Sequence, residues 1–278
     1  MEVIAGTTSC DDFLDREPMS SISPETYYST AAQLEANLND EYPNVLPSFG
    51  QWTYGIFGED KGTDNQIEVN ANDRYTQDRW KVPHSESDNW KFERIYRINF
   101  FLSEALPKFG EDMSGSQNTI SGSVATIKHY IGEMYFLRAY EYFKKLQLFG
   151  DFPIINQPLA DEMEALREAS KRFPRNEVAR FIISDLDKAY AYMSDVDMAT
   201  TRINKDVAML VKSRVALFEA TWLQNFKGTA FVPGGEGWPG ASLHNNYQYP
   251  SGNIDNEVKY FLEQAVEASK LVADKYKG

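Results

Sequence analysis

Residues 132–155 read GEMYFLRAYEYFKKLQLFGDFPII, and the spacing of their large apolar side chains decides the fold class. Carried back to Ser123, the stripe Val124, Ile127, Ile131, Tyr135, Ala139, Tyr142, Phe143 and Leu146 recurs every three or four positions. That period predicts one long amphipathic helix over 123–149. Gly150 supplies a C-terminal cap, and Pro153 blocks continuation. Arg138 inside this stretch reads as an ion-pair partner in helix packing. Its neighbour His129 has no second histidine at the spacing that would hold zinc.

The same period recurs on both sides. Ser23-Pro24-Glu25 joins an N-cap residue, a proline at the first helical position and an acid near the positive end, which predicts a helix over 24–39. A second helix is expected over 88–106, with Phe92, Ile95, Tyr96, Asn99, Leu102 and Leu106 on one face and a stop at Pro107 and Gly110. After Pro174 comes the stripe Val178, Phe181, Ile182, Leu186, Ala189, Tyr190 and Met193. After Asn204 comes Val207, Val211, Val215, Phe218 and Trp222. A final helix is expected over 256–276 through Val258, Phe261, Leu262, Ala265, Ser269 and Val272. No run alternates as a strand would. Successive amphipathic helices predict an all-α fold of tetratricopeptide-like stacked helical hairpins, interrupted by two long irregular loops, 40–87 and 226–253. Ala139-x-x-x-Phe143 matches the small-to-large element of such repeats, so Ala139 is expected at a helix interface.

Composition narrows the function. The 278 residues carry a net charge of −13, with no cluster of lysine and arginine, so a nucleic-acid partner is excluded. The lone cysteine, Cys10, allows no internal disulfide. No run of about 18 apolar residues offers a membrane span. The first nine residues, MEVIAGTTS, lack the basic and apolar regions of a full signal peptide. Aromatic residues reach 14%, enough both for helix interfaces and for stacking on sugar rings.

Two segments test for chemistry. GGEGWPG, 234–240, lacks the Gly-Lys-Ser/Thr of a phosphate loop, and reads either as a flexible loop of residues that tolerate tight turns or as a contact surface with Trp238, Tyr247 and Tyr249. The stretch 60–80, DKGTDNQIEVNANDRYTQDRW, lacks the Asp/Asn order of a calcium loop. It does gather Asn72, Asp73, Arg74, Tyr75 and Trp80. Sugars present flat C–H faces beside hydroxyls, so an aromatic platform next to amide, acid and guanidinium groups suits them; the alternative is a structured loop with Trp80 packed inward. Forty-one acidic residues make carboxylate pairs inevitable, yet none sits in a context that raises the pKa of a proton donor.

Taken together, SCDDFLDREPMSSISPETYY (9–28), the 132–155 segment, and the pair VARFIISDLDKAY (178–190) and VAMLVKSRVALFEATW (207–222) resemble the SusD/RagB family of outer-membrane nutrient-binding lipoproteins of Bacteroidetes. The resemblance implies a lipid on Cys10, followed by the acidic export signal Asp11-Asp12, and a surface-exposed outer-membrane location. It implies a tail over 1–22 and the family's N-terminal helical-repeat region over 23–278, with the C-terminal half of the family missing. It further implies non-catalytic binding of oligosaccharides during polysaccharide utilisation, delivery to a SusC-like TonB-dependent transporter, and no cofactor or metal. Relatives place glycan-contacting aromatics in loops such as the one holding Tyr75 and Trp80. A peptide-binding, RagB-like uptake component and a tetratricopeptide scaffold for protein partners are the alternatives.

Overall fold

The computed structural model describes residues 27–47, 66, 89–110, 112–194, 198–199 and 201–277. Seven α-helices and no β-strand occur among them, as expected of an all-α fold. They are α1 (Ala31–Val45), α2 (Glu93–Phe109), α3 (Val124–Phe149), α4 (Met163–Ala169), α5 (Arg175–Tyr192), α6 (Lys205–Asn225) and α7 (Ile254–Lys275). α3 packs against α1, α2 and α5, then α5 packs on α6 and α6 on α7. Stacked helical hairpins have this order of neighbours.

α3 is the centre. From Ile127 to Leu146 it is buried almost all round, with Ala139, Ile131 and Tyr142 fully enclosed. Ser123 caps its start and Gly150, at φ 68°, ends it. Ala139 therefore lies at an interface, as expected. A second tight point is Gly132, where an added Cβ would meet the Met193 backbone nitrogen at 2.8 Å and the Ala189 carbonyl at 2.9 Å. That glycine lets α3 and the end of α5 come together.

α1 does not begin near Pro24. Residues 27–30 form a turn, and the helix starts at Ala31. Two causes operate. Thr30 and Gln33 form a reciprocal capping box, which satisfies amides that a continuous helix would use. The Ser121 backbone pairs with Ser29 and Ala31 at 2.9 and 2.8 Å and draws this strip into an extended bridge. Ser23-Pro24-Glu25 lies outside the described residues. At its other end α1 runs through Pro43 to Val45, so residues 40–45 are helical rather than part of the first loop; buried Leu34, Leu38, Glu41 and Val45 keep the helical period.

α2 also shifts. It starts at Glu93 and passes Pro107 for one further short turn, because Phe109 is completely buried; Gly110, at φ 103°, makes the stop. Tyr96 is 51% exposed and sits beside the packing face rather than on it, while Ile98, Phe101 and Ala105 are the buried neighbours of Asn99 and Leu102. α5, α6 and α7 match the expected helices, the last two capped by Asn204 and Asn253. Val124, Val207 and Leu262, read as core, are partly exposed at 39%, 38% and 37%, on the outer sides of their helices. α4, a surface helix with no buried residue, has no stripe by which to be seen.

Buried ion pairs tie the helices at defined points. Arg138 of α3 meets Asp185 of α5, and Arg175 of α5 meets Glu219 of α6 at 2.9–3.2 Å. Arg180 of α5 meets Glu257 of α7 at 2.7 and 2.8 Å. Glu133 of α3 meets Arg202, just before α6, at 2.8 and 2.5 Å. Desolvating both partners offsets most of the attraction, so these pairs set register more than they add stability. A misplaced helix would strand a buried charge.

Candidate functional site

Asn72, Asp73, Arg74, Tyr75 and Trp80, the residues with sugar-binding chemistry, lie outside the described residues, as does Cys10 with Asp11 and Asp12. The two ends of their loop are described. α1 ends at Val45, whose carbonyl accepts a hydrogen bond from the Lys144 ammonium. The other end returns at Asn89, whose carbonyl accepts from Lys145 at 2.7 Å. Adjacent lysines of α3 thus hold both ends. Glu141, one turn earlier, sits 3.4 Å from Lys144 and 3.3 Å from Lys145, which matches the carboxylate to both ammonium groups. Burial pushes the Lys144 ammonium below its ordinary range, with Glu141 opposing that effect.

The returning end is pinned by aromatic packing too. Trp90 meets Phe149 and Phe152 at 4.9 Å between centroids, both close to edge-on, and Phe92 at 5.6 Å. The Arg172 guanidinium lies 4.6 Å over the Trp90 ring. The loop therefore leaves and re-enters the fold at the C-terminal half of α3. Nothing in the residue types of Lys144 and Lys145 revealed this, since paired lysines on a helix read as a solvated face.

The second long loop, between α6 and α7, is a built structure containing one 3-10 turn, Pro239–Ser242. Trp238 is 5% exposed and donates from its indole nitrogen to Asp151 at 2.7 Å. The other oxygen of Asp151 accepts from the Arg175 amide at 2.9 Å, so this carboxylate caps α5 in place of Pro174, which has no side chain to do it. Burial pushes the Asp151 carboxyl up, and these two bonds pull it part of the way back. Tyr247 exchanges hydrogen bonds with the Asn176 amide at 2.9 and 3.1 Å, and Tyr249 donates to the Pro233 carbonyl at 2.6 Å. Burial raises both phenols, which stay protonated donors. The tight turns expected of this loop are present, but these hydrogen bonds hold it in place, so it is not the flexible loop expected. Its aromatics hold the loop on the N-terminus of α5.

The buried carboxylates Glu133, Asp185, Glu219 and Glu257 each face a guanidinium, and Arg138 is the packing partner expected of it. His129 bonds the Ile203 carbonyl through Nε2 at 3.0 Å and receives the Ser194 amide at Nδ1, which closes the α5–α6 connection onto α3. No group of three or more histidine, cysteine, aspartate or glutamate side chains is placed to hold a metal among the described residues.

A family model described as "Starch-binding associating with outer membrane" (SusD-like) matches residues 12–217, three quarters of the sequence and most of the quoted segments. The chain belongs to the SusD-like family. It is 26% identical over 235 residues to SusD-like protein P2 of Formosa agariphila, covering 80% of this chain and 43% of that one. SusD-like protein P25 of the same organism is 25% identical over 233 residues, covering 77% and 41%. The chain thus spans less than half the length of these curated relatives. Among solved structures, a SusD-like carbohydrate binding protein from Bacteroides vulgatus ATCC 8482 aligns with a TM-score of 0.52 and 14% identity, over 90% of this chain and 46% of that one. This last likeness concerns the fold.

Proposed function

We propose that residues 23–278 form the N-terminal helical-repeat part of a non-catalytic glycan-binding protein, following a tail over 1–22. The protein captures oligosaccharides at the cell surface and delivers them to a SusC-like TonB-dependent transporter. A lipid on Cys10 anchors it to the outer membrane, since a multiply acylated cysteine gives lasting attachment at about 0.8 kcal/mol per buried methylene. The observation that carries this reading is the family match across 12–217. Ligand contacts are assigned to the loop holding Asn72, Asp73, Arg74, Tyr75 and Trp80. The anchoring of both loop ends on Lys144 and Lys145 supports that assignment, because a long polar loop held firmly at its base suits a binding role.

Native gels cast with starch, laminarin, xylan or peptide mixtures test the reading directly. Retarded migration in at least one polysaccharide, with no new reducing ends after prolonged incubation, is the expected result. Retardation by peptides alone moves the assignment to a peptide-uptake component. New reducing ends that vanish when a carboxylate pair is replaced overturn the non-catalytic reading.

A further inference from the structure

A cleft of about 350 Å³ opens between α5 and α7, away from both long loops in sequence. α5 lines it with Arg180, Ser184, Asp187 and Lys188, positions three and four apart that share one helix face. α7 contributes Tyr260, and Met113 from the α2–α3 connection completes the wall. The volume falls in the range of about 300–1,000 Å³ usual for small-ligand sites.

The wall is organised before any ligand arrives. The Arg180 guanidinium stacks over the Tyr260 ring, 3.7 Å from its centroid. Two hydrogen bonds to Glu257 and one of 2.7 Å to the Ser251 hydroxyl fix that guanidinium in place. The result is a flat, two-layer surface that loses little freedom on binding. Burial, helped by the Asp187 and Glu257 carboxylates and opposed by Arg180, pushes the Tyr260 phenol up, so it remains a donor at physiological pH.

Charge pairing narrows the ligand. Arg180 faces Glu257; Asp187 accepts from Lys212 at 2.7 Å; Lys188 lies 3.7 Å from Asp185. Each charge of the wall therefore has an opposite neighbour. An anionic ligand gains little here, and the net charge of −13 disfavours its approach. The polar groups left over are neutral ones and one acceptor. The hydroxyls of Ser184 and Tyr260 bond to no other described residue, and Asp187 retains its second oxygen. Hydroxyl-sized donors and acceptors beside a flat surface fit a polyol with C–H faces.

We propose that the α5–α7 cleft is a second binding site, for a neutral oligosaccharide, built from elements other than the 48–88 loop. This rests on the glycan-binding reading and adds a location and a ligand class to it. Hydroxyl-radical footprinting of the full chain tests it, with maltoheptaose, laminarihexaose and xylohexaose as neutral probes and an alginate oligomer as the anionic one. A neutral probe is expected to shield Met113 and Tyr260 from oxidation. Ser184→Arg, at an exposed helix position, fills the cleft without touching the core and abolishes that shielding, with site affinity about tenfold weaker. Asp187→Asn, nearly isosteric, weakens it in the same direction. Shielding confined to Tyr75 and Trp80, unchanged in Ser184→Arg, overturns the cleft while leaving glycan binding intact. Shielding of the cleft by the alginate oligomer alone overturns the ligand class. Failure of every oligosaccharide to bind anywhere removes the glycan reading and the cleft with it.

Discussion

The guanidinium of Arg138 grips the carboxylate of Asp185 through two hydrogen bonds, 2.6 and 2.8 Å long, with both side chains withdrawn from solvent. The same guanidinium donates to the Asn99 side chain at 2.9 Å and to the Asn156 carbonyl at 3.1 Å. Asn99 passes the connection on to the Ile155 carbonyl. One residue thus joins α2, α3, α5 and the turn after α3. Arg138→Ala leaves Asp185 buried without its main partner and is expected to cost about 3–5 kcal/mol, read by urea denaturation. The double variant Arg138→Met with Asp185→Leu is expected to recover much of that loss. If Arg138→Ala unfolds at the same urea concentration as the wild type, the hub assignment is wrong.

Gly132 and Ala139 test the two tight points of α3. Gly132→Ala sets a methyl against backbone atoms of Ala189 and Met193, neither of which is a flexible side-chain end. Ala139→Leu adds volume at a fully enclosed position. Each is expected to destabilise by about 1–3 kcal/mol, measured as a fall in thermal midpoint, although alanine is ordinarily the better helix former than glycine. A gain in stability for Gly132→Ala would show that α3 and α5 have room to separate.

Acid is expected to loosen the contact of α5 with α7. Burial pushes the Glu257 carboxyl up, but bonds from Arg180, Asn176 and Ser251 outweigh it, and the net shift is downward from 4.5. A carboxylate depressed on folding contributes stability that is fully present above its unfolded value and is lost as pH falls through the folded one. Stability measured between pH 7 and pH 3 should therefore drop below about pH 4.5. Glu257→Gln should flatten that part of the profile, while an unchanged profile would assign the acid sensitivity to other carboxylates.

Lys144 and Lys145 hold the ends of the first long loop from one side of α3. Lys145→Met keeps the aliphatic stem and removes the ammonium, so it breaks the bond to Asn89 together with the 3.3 Å ion pair to Glu141, which keeps Lys144 as its other cation. Faster amide exchange over 89–92, with α3 itself unchanged, is the expected outcome by exchange mass spectrometry. Lys144→Met should act in the same way on 45–47. Exchange that stays as slow as in the wild type would mean that the aromatic packing of Trp90 suffices.

What could be read in advance follows from how local each signal is. The stripe of α3, the start of α6 after Asn204 and the glycine stop at Gly150 depend on a few neighbouring residues, and all were legible; α7 starts two residues earlier than expected, because Asn253 caps it. The start of α1 was not, because Ser121, some ninety positions away, decides it by pairing with residues 29–31. Pro107 read as a stop because the pull of buried Phe109 is a tertiary effect. Arg138 could be recognised as an ion-pair partner, whereas Asp185 could not be named as the partner from spacing alone. At the candidate site the residues around Trp80 lie outside the described ones, and their sugar-binding chemistry stands as a proposal. The lysine anchors were not legible, since a carbonyl that needs a donor leaves no mark in the sequence.

Tyr75 and Trp80 are the stacking platforms proposed for the loop site, and their replacement is the most direct test of it. The loop is too long and too polar for a simple connection, and its aromatics sit among Asn72, Asp73 and Arg74, whose groups suit sugar hydroxyls. An aromatic removed from a binding surface typically costs about 1–2 kcal/mol, hence roughly tenfold in affinity. A platform that faces ligand contributes little to folding, so thermal stability should stay nearly constant in Tyr75→Ala and Trp80→Ala. A packed tryptophan behaves in the opposite way, with about 3–5 kcal/mol lost on truncation to alanine. Isothermal titration with the polysaccharide that retards the wild type, run beside thermal melts, separates the two. Weaker binding with an unchanged melt supports the platform. A large fall in melting temperature, or normal binding in both variants, makes the loop a structural one and moves the ligand surface elsewhere.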